Sequence, residues 1–228
     1  MTAMTGKSVV VVGGSRGFGL GVVRAARAAG ARVTTVARTS GLAGDATDEA
    51  FADQVLAGTR PELLVVTAGA VPEMRPLSGH TWESFSVGWH QDVRIAFGWL
   101  RAALRLPLPA GARVVVFGSA AELRGSPLSG GYAGAKATVR MITGYAAAEG
   151  RDLGIGMTAV LPGLTPGTGV GETAIRAYAE ASGVSRDEFA GRLTATADSV
   201  GAAVLGLPAS GLADAYLIGA DGLRPLSG

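Results

Sequence analysis

The chain contains no cysteine. Disulfides, thiolate metal sites and cysteine nucleophiles are therefore excluded. His80 and His90 are the only histidines, too few to build a histidine metal cluster, so no metal is expected. Aromatics amount to 6% and charged residues to 17%, and of 20 cationic residues only Lys7 and Lys136 are lysine. The net charge is only +2, and no basic run is present. Nucleic acid is thus not an expected partner. Uninterrupted apolar stretches are only a few residues long, far short of a membrane span. The Val9–Val12 run is too short for the core of a signal peptide. The expectation is a soluble, cytoplasmic globular protein without membrane contact.

What is present is apolar bulk and glycine. Of 228 residues, 48% are hydrophobic and 36 are glycine. That length suits one domain, 1–228, with a large buried core. Short β-branched runs at 8–12, 32–36, 63–66, 113–117, 156–160 and 215–218 read as strands. Helical spacing covers 17–29, 82–106, 129–151 and 185–205, with a short helix over 172–181. Alternation of strand and helix predicts an α/β, Rossmann-type, doubly wound parallel sheet in a three-layer αβα arrangement. The segment of about 164–198, rich in Gly and Thr at its start, reads as a substrate loop.

Gly13-Gly14-Ser15-Arg16-Gly17-Phe18-Gly19 stands between the first strand and the first helix. Gly13 permits a sharp turn. Gly17 and Gly19 remove side chains where backbone approaches a pyrophosphate and where helix meets sheet. The helix N-terminus then offers free N–H groups to phosphate. The same spacing also serves an ordinary strand-to-helix turn. An acidic residue at the end of the second strand would favour NAD. Here Ala37-Arg38 stands there, with Arg16 in the turn. Two guanidiniums can clamp a 2′-phosphate, so NADP is the expected cofactor. The less favoured alternative is that both are ordinary solvated surface arginines.

Tyr132-Ala133-Gly134-Ala135-Lys136 places a phenol and an ammonium at i and i+4, on one helix face. A phenol ordinarily loses its proton only near pH 10, roughly, and a neighbouring cation favours the phenolate. Such a pair can deliver the proton that accompanies hydride transfer. An exposed helix pair of no chemical consequence would have the same spacing. Ser119 follows the 113–117 strand, where active-site residues of open α/β sheets gather. Its hydroxyl could polarise a carbonyl or merely close a turn.

Together, Gly13-x-x-x-Gly17-x-Gly19, Thr67-Ala68-Gly69, Ser119, Tyr132-x-x-x-Lys136 and Pro162-Gly163 resemble the short-chain dehydrogenase/reductase family, in its order and nearly its spacing. The resemblance runs to Ile218-Gly219-Ala220-Asp221-Gly222, similar to the family's last strand and turn. It implies that Tyr132 is the catalytic acid/base. Lys136 would tune it and bind the nicotinamide ribose, and Ser119 would orient the substrate oxygen. It further implies that Gly13, Ser15, Arg16, Gly17, Phe18, Gly19 and Arg38 hold the phosphates, and that Asp45-Ala46 meets the adenine. Thr67, Ala68 and Gly69 would line the cofactor, with Pro162, Gly163 and Thr165 at its nicotinamide end. The implied activity is NADP(H)-dependent reduction of a small carbonyl compound or oxidation of an alcohol by a homo-oligomer, dimer or tetramer. Non-redox chemistry on the same fold and non-catalytic NADP binding are the alternatives.

Three departures from the family pattern stand out. Thr67 occupies a position usually held by Asn. Asp92, taken as a fourth catalytic residue, replaces a second Asn and can pair with Lys136. Only eight residues, 37–44, separate the second strand from Asp45, too few for a crossover helix. That segment is therefore expected to lack its helix and to leave the sheet edge trimmed. The substrate pocket is expected between 70–82, the loop after Ser119 and 164–197. Trp82, Leu123, Leu128, Leu164 and Val170 are its candidate apolar lining. The apolar stretches 200–207 and 215–218 are candidates for either core or interface.

Overall fold

In the first strand, β1 (Ser8–Val12), Val9 and Val11 face one layer while Val10 and Val12 face the other, and all four are fully buried. Alternation at period two with apolar residues on both faces places β1 inside a sheet covered by helices above and below. The computed structural model of the chain describes residues 4–106, 108–219 and 222–226. Its other strands are β2 (Arg32–Ala37), β3 (Leu42–Ala43), β4 (Leu63–Val66), β5 (Arg113–Phe117), β6 (Gly156–Pro162), β7 (Ala215–Gly219) and β8 (Gly222–Pro225). They form one sheet in the order β3-β2-β1-β4-β5-β6-β7-β8. All neighbours are parallel except β7 and β8. The chain leaves β1 toward β2 and returns on its other side to β4. That reversal opens a crevice at the carboxyl ends of β1 and β4, where ligands of doubly wound sheets bind.

One layer holds α1 (Gly17–Ala28) and α8 (Ala197–Leu205), with Val22, Val23, Ala26, Val200 and Val204 against the sheet. Their backbones touch. A Cβ on Gly21 would meet Ala197 O, and one on Gly201 would meet the Gly21 backbone. The other layer holds α2 (Glu49–Thr59), α4 (Arg94–Arg105) and α5 (Tyr132–Asp152). Residues 37–47 carry no helix, only the two-residue β3 on the edge of β2. The crossover to β4 is made by α2. The strand-by-strand reading had not placed this helix, although Asp48 caps its N-terminus through Ala50 N and Phe51 N.

Two long helices expected from the sequence are divided. The 82–106 stretch is α3 (Trp82–Gly88), a π turn over Trp89–Val93, and α4, which ends at Arg105. The 185–205 stretch is α7 (Arg186–Ala190) and α8. Thr196 and Ser199 form a reciprocal capping box that starts α8 afresh, so the helical period resets. The predicted short helix at 172–181 is α6 (Gly169–Ala181). Val200, Val204, Leu207, Ala215 and Ile218 are buried within this single chain, so its own core uses those stretches. Of the expected turn after β7, Ala220 and Asp221 lie outside the described residues.

Candidate active site

The glycine-rich turn is shaped by contacts that leave no room for side chains. Gly13 and Gly17 adopt φ of 87° and 53°. A Cβ on Gly13 would stand 2.6 Å from Ala68 N, and one on Gly19 would meet Gly13 O. Thr67 answers its own departure from the family pattern: its hydroxyl donates to Val12 O at 2.8 Å, tying β4 to the end of β1 beneath the turn. Arg16 is the N-cap of α1, and its guanidinium carbon lies 3.8 Å from where a Cβ on Gly169 would stand. Arg38 extends from the end of β2 and is exposed. Asp45 accepts hydrogen bonds from Thr47 N at 2.9 Å and Thr47 Oγ1 at 2.8 Å. These bonds, aided by Arg94 and Arg38, hold its carboxyl below the usual range. Ala46 O accepts from Trp99 Nε1 at 3.0 Å, which fixes this backbone to the core.

At the other end of the crevice, α5 supplies Tyr132 and Lys136. The half-buried Tyr132 ring has the Lys136 ammonium 5.8 Å from its centre. Lys136 is only 7% exposed and donates to Phe117 O at 3.1 Å. Asp92, 3% exposed, brings Oδ1 within 2.8 Å of the Lys136 nitrogen, while Oδ2 accepts from Ala70 N at 2.8 Å. The Oδ1 atom has no hydrogen-bond partner beyond that ion pair. Burial alone would pull the Lys136 ammonium down. That is the largest single influence, but the Asp92 carboxylate, Tyr132 and Glu122 together outweigh it and raise Lys136 above the usual 10.5. Asp92 reaches this position from the π turn, a local widening often found at functional sites. Gly69 makes room for it, since a Cβ there would stand 2.5 Å from Asp92 Oδ1.

Ser119 follows β5 and caps a single 3₁₀ turn, its Oγ accepting from Ala121 N at 3.2 Å. After β6, Thr165 is buried and donates to Gly163 O at 3.0 Å, and Thr168 donates to Thr165 O at 2.9 Å. These bonds fold the Pro162–Thr168 segment back over the crevice and launch α6.

A cavity of about 1590 Å³ joins these pieces. Every site residue anticipated from the sequence lies on its wall: the turn from Gly13 to Gly19 (Gly14 excepted), then Arg38, Asp45 and Ala46, then Thr67 to Gly69. Asp92, Ser119, Tyr132, Lys136, Pro162, Gly163 and Thr165 complete it. The far end is bordered by 70–72 and Met74, by the loop 124–127, and by α6 with Phe189 of α7. Leu164 and Val170 line it, whereas Trp82, Leu123 and Leu128 do not. Trp82 is 69% exposed and stacks on Phe85, and Leu123 is 47% exposed. Trp82 is the first residue of α3, on its exposed side away from the cavity. The sequence reading missed Tyr178 and Ser126, whose hydroxyls meet at 2.8 Å across the substrate end. An aromatic inside the predicted loop helix, in a chain poor in aromatics, was the available signal.

Comparison with known proteins places this geometry in context. Residues 12–216 match the family model described as enoyl-(acyl carrier protein) reductase. Galactitol 2-dehydrogenase of Agrobacterium fabrum is 28% identical over 185 residues, covering 72% of each chain. A short chain dehydrogenase from Burkholderia cenocepacia in complex with NADP superposes with a TM-score of 0.79 at 23% identity, over 96% of this chain and 98% of that one. ElxO with NADP bound gives 0.77 at 20% identity, over 92% and 96%. Among the described residues no helix is long and apolar enough to cross a membrane, and no acidic or histidine cluster could hold a metal.

Proposed function

Because the chain belongs to the short-chain dehydrogenase/reductase family, we propose that it is an NADP(H)-dependent oxidoreductase interconverting a small carbonyl compound and its alcohol, with Tyr132 as acid/base. The observation that carries this reading is the Tyr132–Lys136 pair on one face of α5 at the wall of a cavity that begins at the glycine turn.

The residues fit the cofactor. Gly13 and Gly19 leave a cradle that a Cβ would fill, and the α1 N-terminus offers unpaired N–H groups to its phosphates. Arg16 and Arg38 would hold the 2′-phosphate, Asp45 and Ala46 the adenine, Lys136 the nicotinamide ribose, and Pro162 to Thr165 the carboxamide end. The NADP bound to two structural neighbours supports this choice. When bound, NADPH supplies a hydride to the carbonyl carbon. Tyr132 gives its hydroxyl proton to the carbonyl oxygen, and the reverse reaction returns it. The Lys136 ammonium stabilises the charge left on the phenol oxygen. Ser119 keeps its hydroxyl hydrogen free, because its Oγ only accepts from Ala121 N, and so can donate to the same carbonyl oxygen. Asp92 keeps Lys136 charged and pointed at the crevice. The mixed lining of Leu164, Val170, Ser126 and Tyr178 suits a modestly apolar ketone with a polar substituent.

Incubation with NADPH and a panel of ketones, followed at the reduced-nicotinamide absorbance, tests the reading. Tyr132→Phe should lower turnover by about 10²–10⁴-fold and spare NADPH binding. Undiminished turnover in that variant would overturn Tyr132 as the acid. Tight NADPH binding without consumption would favour non-redox chemistry or a binding role. Family resemblance also supports a cytoplasmic homo-oligomer, dimer or tetramer, for which exposed Phe97, Met141 and Tyr145 on α4 and α5 supply apolar surface.

A further inference from the structure

Glu122 lies outside the cavity wall, yet its carboxylate is fully buried. It sits in the 3₁₀ turn Ala120–Leu123 that follows Ser119. One oxygen pairs with Nε of Arg140 on α5, and the other, Oε2, has no hydrogen-bond partner. That second oxygen abuts the end of β5: a Cβ on Gly118 would stand 3.0 Å from it. Tyr132, Lys136 and Arg140 follow one another at i, i+4 and i+8 on one ridge of α5. The end of β5 is therefore fastened to this ridge at two places. Phe117 O accepts from Lys136 at 3.1 Å, and Glu122 grips Arg140. Ser119 lies between the two fastenings, with a backbone bond from Glu122 N to Ser119 O at 3.0 Å.

An ion pair with one buried and one partly exposed partner is weak support for stability, because taking the carboxylate out of water offsets the attraction. Burial indeed pushes the Glu122 carboxyl up, against the pull of Arg140. A single 3₁₀ turn, by contrast, has little of its own to fix it. Beyond it the chain turns at Gly125, whose φ is 79°, into an exposed loop. We infer that Glu122 and Arg140 are positioning residues: their clasp sets the Ser119 hydroxyl against Tyr132 by locking the turn after β5 onto α5. The inference rests on the proposed oxidoreductase reading for its chemical consequence but not for its mechanics.

The test uses two mild variants of the whole chain. Glu122→Gln keeps the shape, and Arg140→Gln alters a partly exposed side chain. In both, hydrogen exchange of the amides at 119–124 should quicken about tenfold, with the NADPH dissociation constant unchanged within twofold. Unchanged exchange in both variants overturns the clasp, whether or not any ketone is turned over. With a turned-over ketone, each variant should lower kcat about tenfold at constant KM. In a Ser119→Ala background, adding Arg140→Gln should change kcat less than twofold, because Ser119 has already been lost. A full multiplicative loss in that background would overturn action through Ser119. Absence of turnover in the unaltered protein would remove the oxidoreductase reading alone, leaving the exchange result to decide the clasp.

Discussion

Asp92 answers to three neighbours at once: the Lys136 ammonium, the Ala70 N–H and the bare Cα of Gly69. Asp92→Asn keeps the shape and leaves Lys136 buried without its counter-charge. It should cost about 3 kcal/mol near pH 7, since breaking a buried pair from one side strands the other charge. The pH dependence separates this from simple loss of packing. Folding raises Lys136 above its usual value. Its contribution is therefore fully present below the unfolded value of about 10.4 and fades as pH climbs through the folded one. In Asp92→Asn burial, the largest single influence on Lys136, is opposed only by Tyr132 and Glu122 and favours the neutral amine, so stability should rise with pH below the unfolded value, where the parent is level. Urea midpoints measured from about pH 8 to 11 should thus climb toward about pH 10.4 in the variant and fall only above it in the parent, and profiles of the same shape would refute the assignment. Asp92 was legible in the sequence because its place in the long helix matches a known position. Glu122 was not, because its partner is 18 residues away and nothing local marks a carboxylate for burial.

The α1–α8 contact shows what elements require of single glycines. Neither Gly21 nor Gly201 has space for a methyl group, because each faces the backbone of the other helix. Gly201→Ala should therefore cost about 1–3 kcal/mol through overpacking. It should also weaken NADPH binding, because displacing α1 displaces the turn from Gly13 to Gly19. Denaturant melts and cofactor titration of the variant would check both effects, and an unaltered midpoint would count against so tight a contact. At this scale six strands were readable, since β-branched runs buried on two faces have few alternatives, whereas the short edge strands β3 and β8, which no β-branched residue marks, were not. The helices were less so. The spacing of Ala52, Val55 and Leu56 in α2 was present but short. The π turn hides in a sequence that reads as continuous helix, because the extra residue per turn leaves no compositional trace.

Across the whole molecule, the cavity touches β-strand ends, the α1 N-terminus and the α6 segment, so a bound dinucleotide would link parts distant in sequence. Free NADPH at a hundred times its dissociation constant adds about 2.7 kcal/mol. For a chain of this size that corresponds to a rise in Tm of roughly 5–10 °C. NADH should raise it much less. Replacing Arg16 and Arg38 by Ala should abolish that difference, as thermal melts with each cofactor would reveal, and a persisting preference would move the 2′-phosphate site elsewhere. The margins of the sheet carry a separate consequence. On one side β3 offers only two residues, Leu42 and Ala43. On the other, β8 folds back along β7 and closes on Pro225, which has no N–H to lend a newcomer. These two margins leave the outer edge of β2 at Arg32–Thr34 uncovered, and Arg32 puts a charge on it, so a solution of this protein held concentrated and warm should stay largely free of fibrils.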